Sequence, residues 1–430
     1  MAALQLGAKI YPQGKDDVRH PSLCRYRGQG ERTGMTRNLI TGNDAAAWGA
    51  RLARVDHVLT FPLTSHTEIV GALASWIEHN AMAGKLVTHA SVATMLSAAA
   101  AAADSGIRVF AAITSQSMRA SIKMLYDIAG RHIPMVLLNL SRGMAEQDCG
   151  CLQIQCATCQ EILDGMLLAY RLAEHSDVRL PVVVNIDGVD LSAERESVDI
   201  PNATTAKQFV GSYSEDSYEV HTPMQLTGNG DGNDASFEYG IHHTIQQMLT
   251  AYDELASEFR DFFGRYYPAV DAYRCDDADF VFVMLGAIAI RARETIDRLR
   301  DRGWKVGLLR PRLVRPFPRN ALRDFLTGKQ AVAVIEENAE LNTSGMLHNE
   351  LTAILHGGRD MPTILARFTC SEVGGDISTQ EFFEMATVLR QAAANGESPP
   401  PRLLFTHREA QGDNNPQITR DPTNDKPNRH

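Results

Sequence analysis

A few short groups of residues in this chain carry side chains able to do chemistry, at places where a fold would gather them. Phe61-Pro62-Leu63-Thr64 closes an apolar run at 57–61, and Thr114-Ser115-Gln116-Ser117 closes another at 108–113. Such runs read as strands, and ligands of open α/β sheets bind outside the carboxyl ends of strands. The Thr64 hydroxyl can contact a ligand there; equally, it or Ser65 can cap the next helix. Small hydroxyls at the Thr114 turn let a ring approach closely and leave backbone N–H groups free, although capping alone also accounts for them. Arg142 follows the run 134–140, and its guanidinium fork suits a carboxylate as well as it suits open solvent.

Cys149, Cys151, Cys156 and Cys159 hold four of the chain's seven cysteines in a C-x-C-x4-C-x2-C pattern. Thiolates at such spacing can hold zinc or an iron–sulfur cluster. The spacing is no ferredoxin pattern, however, and Gln160 opens a helical stretch. Free cysteines also pack as small hydrophobes, so no metal is expected. Cys24, Cys275 and Cys370 are isolated.

The elements positioning these residues alternate. Strands are predicted at 57–61, 86–88, 108–113, 134–140 and 181–186, with helices at 44–53, 68–79, 91–103, 117–130 and 160–174. A helix at 238–267 connects to further strands at 280–285, 306–309, 331–336 and 363–366. Alternation of this kind specifies an α/β fold with parallel sheets and crossover helices. In GWKVGLLRPRLVRPFPRN, Gly303 to Asn320, the Arg310-Pro311 and Arg315-Pro316 steps force extended backbone, and Pro318 sets the start of a helix at 320–326. The stretch is expected to be a strand and a rigid loop presenting Arg310, Arg312 and Arg315. The loop Gly228-Asn229-Gly230-Asp231-Gly232-Asn233 is built from ordinary turn residues.

The chain has 430 residues, 44% of them hydrophobic, and a formal net charge of -10. That charge argues against nucleic acid as a partner, and no apolar run is long enough to span a membrane. Residues 1–36 show no signal or transit pattern and are expected to be a flexible extension. The segment 394–430, rich in Pro, Asn, Asp and Arg, is expected to be a disordered tail.

The Gly303–Asn320 stretch resembles the VG-L-LRxFRPFP run in the α subunits of thiamine-diphosphate-dependent 2-oxoacid:acceptor oxidoreductases, the pyruvate:ferredoxin oxidoreductase superfamily. The lead-in from Phe262 to Ile288, the turn CSEVGGDIS (Cys370 to Ser378), Phe61-Pro62-Leu63-Thr64 beside the family's Tyr-Pro-Ile-Thr, and Thr114-Ser115-Gln116-Ser117 beside Thr-Ser-Ser-Gln-Gly resemble it in the same order. The resemblance covers residues 37–392. It implies a pyrimidine-binding α/β domain (37–205), a linker with a helix (206–270) and a transketolase C-terminal-like α/β domain (271–393). It also implies oxidative decarboxylation of a 2-oxoacid to an acyl-coenzyme A, with electrons passing to ferredoxin or NAD. Thr64 and Arg142 would meet the substrate carboxylate. Phe61, Pro62, Val92, Thr114, Ser115 and Gln116 would line the aminopyrimidine of thiamine diphosphate. The family's GDG motif, which holds Mg2+ and diphosphate, needs a preceding strand and a later asparagine. Gly230-Asp231-Gly232 follows HTPMQLT, and no asparagine occurs between Asp234 and Asn320. The resemblance therefore assigns that half of the site to a β subunit, with γ and ferredoxin-like δ subunits supplying 4Fe-4S clusters, in a cytoplasmic complex.

The resemblance has departures. Where the family reads Glu-Ser-Glu-His, this chain reads Ala90-Ser91-Val92-Ala93. The family's second glutamate protonates the aminopyrimidine ring and so promotes loss of the C2 proton, which valine cannot do. Glyoxylate carboligase, in the wider thiamine family, also has valine there. Otherwise His89 or Glu68 would substitute, or the chain would be a non-catalytic structural or regulatory subunit. The loop after Arg142 is also shorter than the family's, so the resemblance does not fix the 2-oxoacid.

Overall fold

The computed structural model describes residues 35–62, 67–141, 149–187, 190–213, 234–336, 345–356, 360–370 and 377–404. Met35–Thr41 (β1) leads through Gly42–Leu52 (α1), His57–Thr60 (β2), Thr67–Glu78 (α2), Lys85–Thr88 (β3), Val92–Asp104 (α3), Val109–Thr114 (β4), Ser115–Ala120 (α4) and Ile122–Gly130 (α5) to Val136–Ser141 (β5). Leu152–Gln155 (β6), Cys159–Ala173 (α6), Val182–Asp187 (β7), Asp190–Ala193 (α7), Arg195–Pro201 (β8) and Ala203–Val210 (α8) follow. Next come Asp234–Phe263 (α9), Val270–Tyr273 (β9), Phe280–Val283 (β10), Gly286–Asp301 (α10), Val306–Pro311 (β11), Leu313–Arg315 (β12) and Arg319–Leu326 (α11). Ala331–Glu336 (β13), Met346–Leu355 (α12), Ile364–Cys370 (β14), Thr379–Asn395 (α13) and Arg402–Leu404 (β15) complete the described chain.

Two open sheets organise these elements. The first has the order β12-β6-β7-β5-β4-β2-β3, the second β15-β14-β13-β10-β11-β9, and β1 and β8 form a separate antiparallel ribbon. Within each large sheet all neighbours are parallel except β12 on β6 and β9 on β11. The central strands of the first sheet read VFAAIT, VLLNLS and VVVNID. Near-continuous apolar runs are what a parallel strand covered on both faces requires. Helix α6 is buried along almost its whole length. It lies so close to α1 that a Cβ on Gly49 would come within 2.5 Å of the Met166 Cβ, so glycine is needed there. Side chains set the helix starts: Thr41 with Asp44, Ser91 with Thr94 and Ser378 with Glu381 make reciprocal caps.

The α/β class stands as expected, but several details need correction. The helix expected at 117–130 is two helices, broken at Ser121 (φ -110, ψ 12). The extension expected through residue 36 gives up Met35 and Thr36 to β1, which is held by pairing with β8. The tail expected from 394 contains the last two residues of α13 and then β15, which adds to the edge of the second sheet beside β14. The largest correction concerns the arginine loop. Val306–Pro311 lies in the second sheet, and Leu313–Arg315, two residues on, is an edge strand of the first, with Leu313 opposite Ile154. One stretch of chain thus joins both sheets.

Candidate functional site

Strands β3, β2 and β4 are neighbours and parallel, so the segments after them leave the same edge of the first sheet. Phe61 and Pro62 follow β2, Val92 follows β3 across a short turn, and Thr114 ends β4. The fold therefore gathers Phe61, Pro62, Val92 and Thr114-Ser115-Gln116 at one carboxyl edge. Thr64 and Arg142 lie outside the described residues, as does the loop Gly228–Asn233.

Phe61 is buried in the core face formed by Leu96, Ile113 and Met118, while Pro62 is exposed. Val92 is half-buried against the same core at the first position of α3. Thr114 accepts a hydrogen bond from the Ser117 N–H at 3.3 Å and so caps α4. Ser115 is buried with its Oγ unpaired, and Gln116 is exposed. His89, just before the α3 cap, has a buried and unpaired Nε2. Glu68 accepts from Asn43 Nδ2 at 2.8 Å, which ties the start of α2 to the start of α1.

An apolar wall, a buried free hydroxyl and a short turn fit one side of a flat heteroaromatic ring. The carboxylate that would pair with a ring nitrogen is missing at Val92, and His89 is a polar group at the same edge with a nitrogen unengaged.

The cysteines do not converge. Cys149 and Cys151 pack in the core on one face of the first sheet, Cys156 and Cys159 in the core on the other. Burial, with Glu161 beside it, pushes the Cys156 thiol well above its ordinary range, and burial beside Glu196 pushes Cys159 up to about 12. Both thiols are therefore held in the protonated form. Among the described residues, no group of three or more His, Cys, Asp or Glu side chains is arranged to hold a metal ion.

The arginines expected on an open loop are structural. Arg310 is 2% exposed and forks onto Glu161, with Nη1–Oε2 at 2.9 Å and Nη2–Oε1 at 2.7 Å. Its Nη2 also donates to Asp271 at 2.8 Å. Arg312, likewise buried, donates to Glu161 Oε1 at 2.8 Å, and Arg315 lies 3.4 Å from Glu350. Burial alone would raise the Glu161 carboxyl, but Arg312 and Arg310 override it and hold it at about 2. Arg310 and Arg312 are therefore not available to a soluble ligand.

Sequence reasoning also missed a row of buried amides on β5, β7 and β6. Asn139 Nδ2 donates to Asn185 Oδ1 at 2.7 Å, and Asn185 Nδ2 to Gln153 Oε1 at 3.4 Å. Gln155 continues the row beside Asn185. Asn139 Oδ1 and Gln155 Oε1 are buried and unpaired. The alternation in Leu152-Gln153-Ile154-Gln155 was the available signal.

Comparison with known proteins gives two family matches. Residues 48–258 match "Pyruvate flavodoxin/ferredoxin oxidoreductase, thiamine diP-bdg", and residues 278–382 match "Pyruvate:ferredoxin oxidoreductase core domain II". Pyruvate synthase subunit PorA of Methanothermobacter thermautotrophicus is 32% identical over 355 residues, covering 76% of this chain and 92% of that one. The α subunit of the NADH-dependent phenylglyoxylate dehydrogenase of Aromatoleum evansii is 28% identical over 353 residues, covering 76% and 85%. Among solved structures, the 2-oxoglutarate:ferredoxin oxidoreductase of Magnetococcus marinus superposes with a TM-score of 0.64 at 16% identity, covering 83% of this chain and 66% of that one. At that identity the likeness speaks for the fold. No helix among the described residues is long and apolar enough to cross a membrane.

Proposed function

The chain belongs to the thiamine-dependent pyruvate:ferredoxin oxidoreductase family as an α-type subunit of a 2-oxoacid oxidoreductase, and from this premise we propose that its first sheet forms the aminopyrimidine side of a shared thiamine diphosphate site. The observation that carries the reading is the single carboxyl edge where Phe61, Val92 and the Thr114–Gln116 turn meet, with a buried, unpaired Ser115 hydroxyl. Phe61 walls the ring, Ser115 offers it a hydrogen bond, and the α4 turn lets it approach. Thr64 and Arg142 follow strands of this same sheet and are assigned to the substrate carboxylate. When bound, thiamine diphosphate supplies the electron sink that decarboxylation of a 2-oxoacid requires.

A β subunit brings diphosphate and Mg2+, and γ and ferredoxin-like δ subunits carry 4Fe-4S clusters to ferredoxin or NAD. The acyl group of pyruvate or a related 2-oxoacid passes to coenzyme A. Buried Arg310 and Arg312 take no part in holding coenzyme A or a partner. Val92 favours a second reading, a subunit that keeps the fold and has lost the chemistry.

The test is to purify the native complex through a tag on this chain and measure dye reduction dependent on 2-oxoacid and coenzyme A. Turnover is expected, with Arg142→Ala raising KM by about tenfold or more through loss of a charge-assisted hydrogen bond. A complex lacking thiamine diphosphate and inert toward every 2-oxoacid would leave the second reading.

A further inference from the structure

Helix α9 has two faces. Met248, Ala251, Tyr252, Leu255 and Phe259 are buried in the core of the first sheet. The opposite face lines a groove of about 780 Å³, closed on its far side by the start of α11. Leu249, Ala269, Pro318 and Ala321 supply an apolar lining, and Asp253, Glu254, Glu258 and Asp261 bring four carboxylates from α9. Glu258 lies 3.8 Å from Arg171 and Asp261 3.4 Å from Arg260. Among the described residues, Asp253 and Glu254 have no cationic partner. Partial burial raises the Asp253 carboxyl above its ordinary range, and no cation offsets that cost.

The described chain begins beside this groove. Met35 Sδ lies 3.4 Å from Arg265 Nη1, and Arg265 stands between the lining residues Asp261 and Ala269. Residues 1–34 lie outside the described residues. Within them, 19–32 hold Arg19, Arg25, Arg27 and Arg32 against a single acid, Glu31, and Leu23 and Tyr26 are interleaved with Arg25 and Arg27. That stretch pairs cationic with apolar side chains, as the groove pairs carboxylates with apolar ones. Arg25 is ten residues before Met35, a reach of up to ~33 Å, while the four carboxylates span ~12 Å of α9. A segment tethered at the groove's end acts at an effective concentration in the millimolar range. The modest energies of exposed ion pairs then suffice, whereas a separate basic partner must meet the full cost of association.

We propose that the groove between α9 and the start of α11 is the docking site of this chain's own segment 19–32, with Arg25 and Arg27 on Asp253 and Glu254 and Tyr26 on the apolar lining. Helix α9 packs on the first sheet and α11 on the second, so the docked segment straps the two halves of the molecule together. This site is separate from the aminopyrimidine edge and does not depend on that assignment.

The test uses Cys24, the neighbour of Arg25, in the full-length chain. Ser257→Cys places a second thiol in the groove, and Glu294→Cys places one on exposed α10 as the control. Under mild oxidation, peptide mass spectrometry should show the disulfide from Cys24 to position 257 forming at least about tenfold faster than that to position 294. Molar salt, or Asp253→Lys with Glu254→Lys, should remove most of that advantage. Adding Arg25→Glu with Arg27→Glu to the reversed groove should restore it, which a damaged fold could not do. A rate no faster than the control's, a rate that neither salt nor the reversal lowers, or a reversal that the swap does not undo would overturn the proposal. A disulfide joining two chains would overturn it as well, and would give the groove to a second copy.

Discussion

Val92 separates chemistry from architecture at one position. Ser91 and Thr94 complete the α3 cap without it, so the helix does not need a carboxylate there. A glutamate at the first helical position is favourable with the helix dipole, and Val92→Glu should leave stability within about 0.5 kcal/mol. In the assembled complex it should speed exchange of the thiamine C2 hydrogen, followed by NMR, because an acid beside the ring again shares a proton with it. An unchanged exchange rate would mean that Val92 does not face the ring. His89 provides the control. Its Nε2 is buried and unpaired at the same edge, so if it relays the proton in the natural chain, His89→Gln should suppress the exchange that remains. At this scale the hydroxyl turn and Val92 were legible, because strand-end position and local spacing are sequence properties. The amides were not. A strand reading Leu-Gln-Ile-Gln predicts a polar face toward water, and only the third dimension shows that face to be covered.

Among the elements, the arginine stretch was read furthest from its true form. Prolines suit loops and edges, and three residues are too few to announce a strand. The partner of Arg310, Glu161, lies 149 residues earlier, beyond any local pattern. Running from β11 into β12, the stretch binds the two halves of the molecule through one carboxylate shared by two buried guanidinium groups, Arg310 and Arg312. Removing that carboxylate leaves uncompensated buried charge, so Glu161→Gln should cost about 3 to 5 kcal/mol in urea unfolding. A loss below about 1 kcal/mol would show that water reaches the arginines. Acid should act in the same way. The folded Glu161 carboxyl sits at about 2, below its ordinary 4.5. Its contribution is therefore complete above pH 4.5 and disappears as pH falls toward 2. The shift corresponds to roughly 3 kcal/mol. Wild type should lose stability over that window more steeply than Glu161→Gln, which lacks the titrating group.

On the reading proposed above, the molecule as a whole supplies one half of a thiamine site that a second subunit completes. Strand β3, the edge of the first sheet beside the candidate pocket, is exposed along its length, and Leu86 and Val87 are 37% and 36% exposed. A sheet edge with apolar side chains calls for cover, and among the described residues the candidate site at its carboxyl end is framed by β3, β2 and β4. On this side a ring gains an apolar contact and a few hydrogen bonds. The diphosphate, which carries the charge, would gain little, because the described residues gather no metal-binding carboxylates. The isolated chain should therefore bind thiamine diphosphate no better than about millimolar, near 4 kcal/mol, with no dependence on Mg2+. Adding the β subunit should tighten binding by orders of magnitude and make it Mg2+-dependent, because ring and diphosphate are then held together and their contributions combine. Calorimetry on the chain alone, and then on the reconstituted pair, measures both. Tight, Mg2+-dependent binding by the lone chain would show that Gly230-Asp231-Gly232 serves the metal after all, and the division of the site between subunits would fall with it.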